Sequence, residues 1–328
     1  MLEKSIRIGT KTVKNRIVLP PMATFGMTND DNTVSETQIK HYGAYADNGV
    51  GLIIIEACAV REMDEPRTTI GAYDRRFLDG LKKLSEATRK NGSVAIVQLI
   101  NTGLSIMKEN SIDEIPQDLF LSYRDDFIKS AGIIKEAGFD GVELHAAHGF
   151  YLDQVLETST RSDMYGKSPK NRAAYVADII KGIKQSCGND FIVGVRLGMH
   201  EKTSDTVFMA QEFEKAGADV IHVSFGIRRP EETEEPSLDA RIICAGEVKK
   251  NISVPVICVG GLKTFEDADG VLQKGYADLA AIGTAQLADH AWAKKVLSGE
   301  TPKKCLNCRQ CMWWTDGTRC PLARKLFS

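Results

Sequence analysis

Short runs of β-branched and aliphatic residues recur along this chain, and most are followed by a longer stretch whose apolar positions return every three or four residues. The runs that read as strands are Ile17–Leu19, Gly51–Glu56, Val94–Leu99, Gly141–Leu144, Phe191–Arg196, Val220–Val223, Val256–Val259 and Leu279–Ile282. Helical periodicity follows in Ser35–Asn48, Arg75–Asn91, Tyr123–Ala137 and Phe265–Lys274. Ser35-Glu-Thr-Gln38 has the form of a capping box, with Ser35 as N-cap and Gln38 reaching back. Gly138, Gly217 and Gly275 stand where helices end. Eight strand–helix units in alternation predict a closed α/β barrel of the (β/α)8 TIM type. The competing doubly wound sheet is disfavoured because no strand leads into a Gly-x-Gly-x-x-Gly turn. The barrel is expected over residues 1–300, with a cysteine-rich tail over 301–328. Lys202–Thr206 and Arg228–Asp239 read as solvated loops, the second placed to overhang the C-terminal rim.

Composition narrows the class. A chain of 328 residues accommodates one large barrel of roughly 250 residues and an extension. With 43% hydrophobic and 26% charged residues it reads as an ordinary globular protein, and a net charge of −2 gives no general attraction to nucleic acid or anionic lipid. No apolar run is long enough to span a bilayer, and Met1-Leu-Glu-Lys-Ser-Ile-Arg lacks the apolar segment of an export signal, so the cytoplasm is the expected compartment. Cys58, Cys187, Cys244 and Cys258 are scattered, whereas Cys305, Cys308, Cys311 and Cys320 fall within the last 24 residues. Without an export signal, such clustering points to metal rather than to disulfides.

In a barrel of this type chemistry sits at the C-terminal ends of the strands. Pro20, Pro21, Met22 and Ala23 follow strand one, Glu56 and Ala57 strand two, and Gln98 closes strand three. His145 and His148 follow strand four, Arg196 closes strand five, Gly260 and Gly261 follow strand seven, and Gly283 and Thr284 follow strand eight. If the chain turns helically after strand four, the two histidines point the same way and offer two N–H donors to one oxygen. That suits a carbonyl that gains negative charge during reaction. The plainer alternative is one buried and one surface histidine in a loop. In the tail, the spacing Cys-x2-Cys-x2-Cys-x8-Cys with proline after the last cysteine suggests a [4Fe–4S] cluster. A closed zinc site and unligated thiols are the alternatives. Trp313 and Trp314 would shield such a centre or dock the tail on the barrel.

Lys14-Asn-Arg-Ile-Val18 with Pro21-Met22, Glu56-Ala57, Gln98-Leu99, His145-Ala-Ala-His-Gly149, Arg161-Ser-Asp-Met-Tyr-Gly166, Asn171-Arg172 and the late glycines together resemble the Old Yellow Enzyme family over nearly the whole chain. The resemblance implies FMN at the barrel mouth, with Pro20 to Ala23 and Ala57 lining the isoalloxazine ring. It implies Gln98 and Arg196 at the pyrimidine edge, and Gly260, Gly261, Gly283 and Thr284 around the phosphate. It further implies NAD(P)H as hydride donor and an α,β-unsaturated carbonyl or enoyl-CoA compound as acceptor, held by His145 and His148. A homo-oligomer is also expected from the family.

Several positions depart from the family pattern. Phe150 stands where a proton-donating tyrosine is usual, leaving adjacent Tyr151, another loop or water as the source. Asn101-Thr-Gly-Leu104 replaces a frequent His-Ala-Gly-Arg, Thr284 stands where an arginine often reaches the phosphate, and Ala23 replaces a cysteine or threonine. The tail resembles that of the 2,4-dienoyl-CoA reductase branch, whose cluster relays electrons to an FAD domain. Since the sequence stops eight residues after Cys320, a separate electron-transfer protein, or a structural role for the centre, is expected instead. Two other readings stay open: a flavin dehydrogenase or demethylase passing electrons through the tail, and a non-catalytic redox sensor.

Overall fold

The computed structural model describes residues 1–62, 69–101, 112–227 and 238–328. The loop predicted from Arg228 therefore lies outside the described residues apart from its last two positions, as do Thr102 to Leu104. Eight parallel strands close into a barrel: β1 Ile17–Leu19, β2 Leu52–Ala59, β3 Val94–Ile100, β4 Gly141–Ala146, β5 Ile192–Met199, β6 Val220–Phe225, β7 Val256–Val259 and β8 Leu279–Ala281. Each pairs with its sequence neighbours, and β8 closes onto β1. The long helices α1 Glu36–Asp47, α2 Leu78–Thr88, α3 Gln117–Glu136, α5 Pro169–Cys187, α6 Thr203–Ala216, α7 Ala240–Asn251 and α8 Phe265–Gln273 pack outside. A short α4, Tyr151–Thr158, follows β4, and α9 Thr284–Ala288 and α10 Trp292–Leu297 follow β8.

The capping box forms as the sequence predicts. Gln38 N donates to Ser35 Oγ and Ser35 N donates to Gln38 Oε1, each at 3.1 Å. Helix α3 begins six residues earlier than its periodicity suggests, after Pro116, because Phe120 adds a buried position ahead of Tyr123. The loop expected at Lys202–Thr206 is instead the first turn of α6. Its polar opening hides a helix whose apolar face, Met209, Ala210 and Phe213, comes only later.

Along each strand one set of side chains faces the helices and the other the barrel interior. Ile53, Ile55, Val142, Leu144, Val193 and Val195 belong to the outer core. At the N-terminal end the interior is filled by Val18, Leu52, Ile54, Val94, Ile96, Ile192, Val220, Ile257 and Leu279. An antiparallel hairpin, Ile6–Ile8 with Lys11–Val13, adds Ile8 and Val13 to this plug. Each such aliphatic side chain contributes roughly 1.5–3 kcal/mol when fully buried. The apolar plug closes one end of the barrel, and the inward positions nearer the other end carry polar side chains.

The tail is held to the barrel by Trp313, which packs with Met27 and Ala323 and lies 5.4 Å from the His41 ring. Gly317 N donates to Phe25 O at 3.1 Å, tying the tail to the loop that follows β1. Of the two tail tryptophans, Trp313 docks; Trp314 is 74% exposed.

Candidate active site

Strand β4 delivers His145 into the interior, and the turn beyond it brings His148 back over the same mouth. His148 takes φ +62° and Gly149 φ +77°, so the chain reverses instead of continuing as a helix. The result is still a pair: His148 Nδ1 lies 3.3 Å from His145 Nε2, and His148 Nε2 lies 2.8 Å from Ser224 Oγ. Arg196 Nη2 donates to the same serine at 3.3 Å. A guanidinium can only donate, so Ser224 accepts from Arg196 and can pass its own O–H to His148 Nε2. His148 then carries its proton on Nδ1, facing His145. Burial pushes His145 well below the usual histidine value and His148 down to about 3, with the Arg196 charge acting in the same direction on both. Both rings are therefore neutral donors at physiological pH. Two donors to one oxygen require His145 to bear its proton on Nε2, the nitrogen that faces His148.

Beneath the pair lies a buried polar row that sequence reading reached only at Gln98 and Arg196. Gln98 Nε2 donates to Glu143 Oε1 at 2.7 Å, and the other carboxylate oxygen lies 2.9 Å from His222 Nδ1. Glu143 pairs in register with Gly194 on β5, and Gly194 with Val220 on β6. The Glu143 carboxylate reaches across β5 to His222 on β6. Burial lowers Arg196 to about 10, opposed by the Glu143 charge. Arg196 Nε, His145 Nδ1 and His222 Nε2 are buried without a hydrogen-bond partner. Glu143 and His222 were legible only as alternate inward positions of their strands, two residues before His145 and before Ser224.

The segment Pro20 to Ala23 leaves β1 across the mouth, where Arg196 Nη1 lies 3.5 Å from Pro21 O. It is held from below by Glu56, whose carboxylate accepts from Thr24 N at 2.9 Å, from Thr24 Oγ1 and from Gln38 Nε2 at 2.8 Å. A register shift in the β2–β3 pairing between Ile55 and Cys58 turns Ala57 partly toward solvent. Gly260 has φ +150°, and a Cβ there would come within 2.7 Å of Asp239 Cγ, so only glycine fits. Gly261 has φ +65°, Gly283 lies against Met22, and Thr284 is exposed at the start of α9. The structure thus gathers Pro20 to Met22, Arg196, Gly283 and the histidine pair around one end of the barrel.

Tyr151 does not join them. Its side chain is fully buried and its hydroxyl lies 2.9 Å from Tyr175 Oη, which donates to Phe120 O at 2.7 Å. Phe150 takes the place beside the histidines instead, its ring centroid 4.8 Å from that of His145. A one-residue step along α4 sends consecutive side chains in different directions, so Tyr151 faces the outer core.

Asp153, one turn into α4, accepts from Gly149 N at 2.7 Å and so braces the turn that carries His148. Chiefly through burial its carboxyl is raised from 3.8 to about 7. Between those values the folded protein retains a proton that the unfolded chain releases, so this group makes stability fall as pH rises from about 4 to about 7. Asp153→Asn is expected to flatten that slope relative to wild type. Urea unfolding at several pH values across the window checks this, and parallel slopes in the two proteins would refute it.

The cysteines are not gathered. Cys305 and Cys320 are half-buried, Cys308 and Cys311 are exposed, and all four are free thiols. Among the described residues no group of three or more metal-ligating side chains converges. Also among them, no helix is long and apolar enough to cross a membrane.

Residues 2–126 and 118–302 match the family described as NADH:flavin oxidoreductase / NADH oxidase. An NADH oxidase of Thermoanaerobacter brockii is 33% identical over 92% of this chain and 52% of its own length. A metal reductase of Desulforamulus reducens is 28% identical over 93% of this chain and 50% of its own. The chain thus spans about half the length of these two relatives. An NADPH dehydrogenase of Listeria monocytogenes is 29% identical over 88% of this chain and 93% of its own. Among solved structures, a 2-naphthoyl-CoA reductase in complex with 2-naphthoyl-CoA superposes with TM-score 0.86 at 21% identity, over 98% of this chain and 56% of that one. An old yellow enzyme homologue from Zymomonas mobilis gives 0.80 at 22%, over 98% and 99%. With the barrel, the paired histidines and a family match that runs through both halves of the sequence, the chain belongs to the NADH:flavin oxidoreductase / NADH oxidase family, that of the Old Yellow Enzymes.

Proposed function

We propose that the chain is an FMN-dependent oxidoreductase that takes hydride from NAD(P)H and reduces the activated C=C bond of an α,β-unsaturated carbonyl or enoyl-CoA compound. One observation carries the reading: a neutral histidine pair and a buried guanidinium with an unpartnered Nε share one barrel mouth. The unpartnered Arg196 Nε–H there calls for an acceptor that the protein itself does not supply. The residues fit FMN. Arg196 and Gln98 would take the pyrimidine edge, Pro20 to Ala23 with Ala57 would flank the ring, and Gly260, Gly261, Gly283 and Thr284 would receive the phosphate. When bound, FMN would supply the hydride relay between nicotinamide and alkene. His145 and His148 orient the substrate carbonyl and stabilise the charge that develops on its oxygen. With Tyr151 turned into the core, the final proton comes from water or another loop.

The tail is assigned a [4Fe–4S] cluster, or zinc, on cysteine spacing alone. Among the described residues the sulfurs as arranged do not form a ligand set. The buried Tyr151 hydroxyl also favours a second reading, a flavin dehydrogenase or demethylase that hands its electrons to a partner protein. A homo-oligomer and a cytoplasmic location belong to the proposal as well.

The test is anaerobic purification with flavin, iron, sulfide and zinc analysis, then NADH or NADPH, then enones and enoyl-CoA thioesters. Flavin absorbance bleached by the nicotinamide and restored by an alkene acceptor is the expected result. A protein that takes up no FMN sinks the proposal, and bleaching reversed only by an electron-transfer protein favours the second reading.

A further inference from the structure

We propose that Glu143 is a positioning residue: through Gln98 and His222 it decides which atoms of the barrel mouth are hydrogen-bond donors and which are acceptors. The identity of the group received there rests on the FMN reading above; the positioning itself does not. A carboxylate is acceptor-only, and both of its oxygens are engaged, one by Gln98 Nε2 at 2.7 Å and the other by His222 Nδ1 at 2.9 Å. The first contact commits the NH2 end of the Gln98 amide and leaves Oε1 as the free, accepting end. The second places the His222 proton on Nδ1 and leaves Nε2 as a lone pair. Burial lowers His222 despite the Glu143 charge, so the ring is neutral and the lone pair is available. His222 is fully buried and its Nε2 has no partner, which marks it as an acceptor waiting for a donor. Arg196 is its register partner on the neighbouring strand and brings an unpartnered Nε–H donor to the same row. Glu143 thus sets a donor and an acceptor side by side, with Gln98 as a second acceptor across the mouth.

Glu143→Gln tests this without changing volume. An amide has one accepting and one donating end, so it cannot accept from both neighbours. Either His222 moves its proton to Nε2, or Gln98 turns over and presents NH2 to the mouth. Side-chain 15N NMR of the histidines reads the first response. FMN affinity, by fluorescence quenching on titration, reads the second, with Kd expected to rise about tenfold or more. Wild type should show the Nδ1–H tautomer of His222 at neutral pH, and the variant should show the Nε2–H tautomer, the weakened FMN binding, or both. A wild-type Nε2–H tautomer overturns the inference, and that spectrum stands even if the variant does not fold. A folded variant with His222 still Nδ1–H and FMN affinity within about twofold of wild type overturns it too. If wild-type protein binds no FMN, the functional proposal fails, while the tautomer spectra still judge Glu143.

Discussion

Replacing His145 and His148 together by alanine is expected to lower turnover of an α,β-unsaturated ketone by about 10²–10⁴-fold and to abolish detectable binding of carbonyl ligands. The two rings meet at 3.3 Å, and both are held neutral by burial, so each has one N–H to give and no charge to strand. Losing both removes every imidazole donor at that point, whereas Arg196 and Ser224 keep their mutual contact. Flavin reduced beforehand with dithionite should be reoxidised by the ketone at the much lower rate, which isolates this step from any effect on nicotinamide. Because His148 also ends a hydrogen-bonded chain running Arg196–Ser224–His148, the single His148→Ala variant should lose more than half of the double variant's effect on a logarithmic scale. Turnover and ligand affinity unchanged within about threefold would remove both histidines from substrate activation.

Glu56→Ala is expected to cost about 3–5 kcal/mol of stability, because it strands several buried donors at once. Thr24 N and Oγ1, Gln38 Nε2 and the Tyr42 hydroxyl all converge on that carboxylate. Its own carboxyl is pushed up by burial, with the hydrogen bonds from Thr24, Gln38 and Tyr42 opposing the shift. The melting temperature should fall by roughly 5–15 °C. The loss should reach the mouth as well, since Thr24 adjoins the Pro20–Ala23 segment. Glu56→Gln keeps one accepting oxygen and should lose less than half as much. A melting temperature within about 2 °C of wild type for the alanine variant would show that the cluster is not what holds this segment.

Most of the barrel could be read from the chain because each strand is a local apolar run and each helix a local periodicity, both requiring only neighbouring residues. The rim positions followed from that alone, since a strand's C-terminal end is known once the strand is. Helix α6 was hidden because its first turn is polar and its apolar face begins only at Met209. The Ile6–Val13 hairpin escaped because two three-residue strands carry too few alternations to stand out, although Ile8 and Val13 complete the interior plug. The tail shows the opposite imbalance. Its cysteine spacing is conspicuous in sequence, yet in the folded chain Trp313, a residue with no spacing signal, is what binds it to the barrel.

The sequence by itself determined the eightfold alternation, the strand ends that carry chemistry, and the presence of two histidines three residues apart, because each depends on order along the chain. Tertiary structure decided how those histidines meet, since the turn at His148 and Gly149 is braced by Asp153 and by the Phe225 carbonyl on another strand. It also decided that Tyr151 faces Tyr175, and that Glu143 reaches His222 across β5. Those contacts join residues 24 to 79 positions apart, where only tertiary packing brings them within hydrogen-bonding distance.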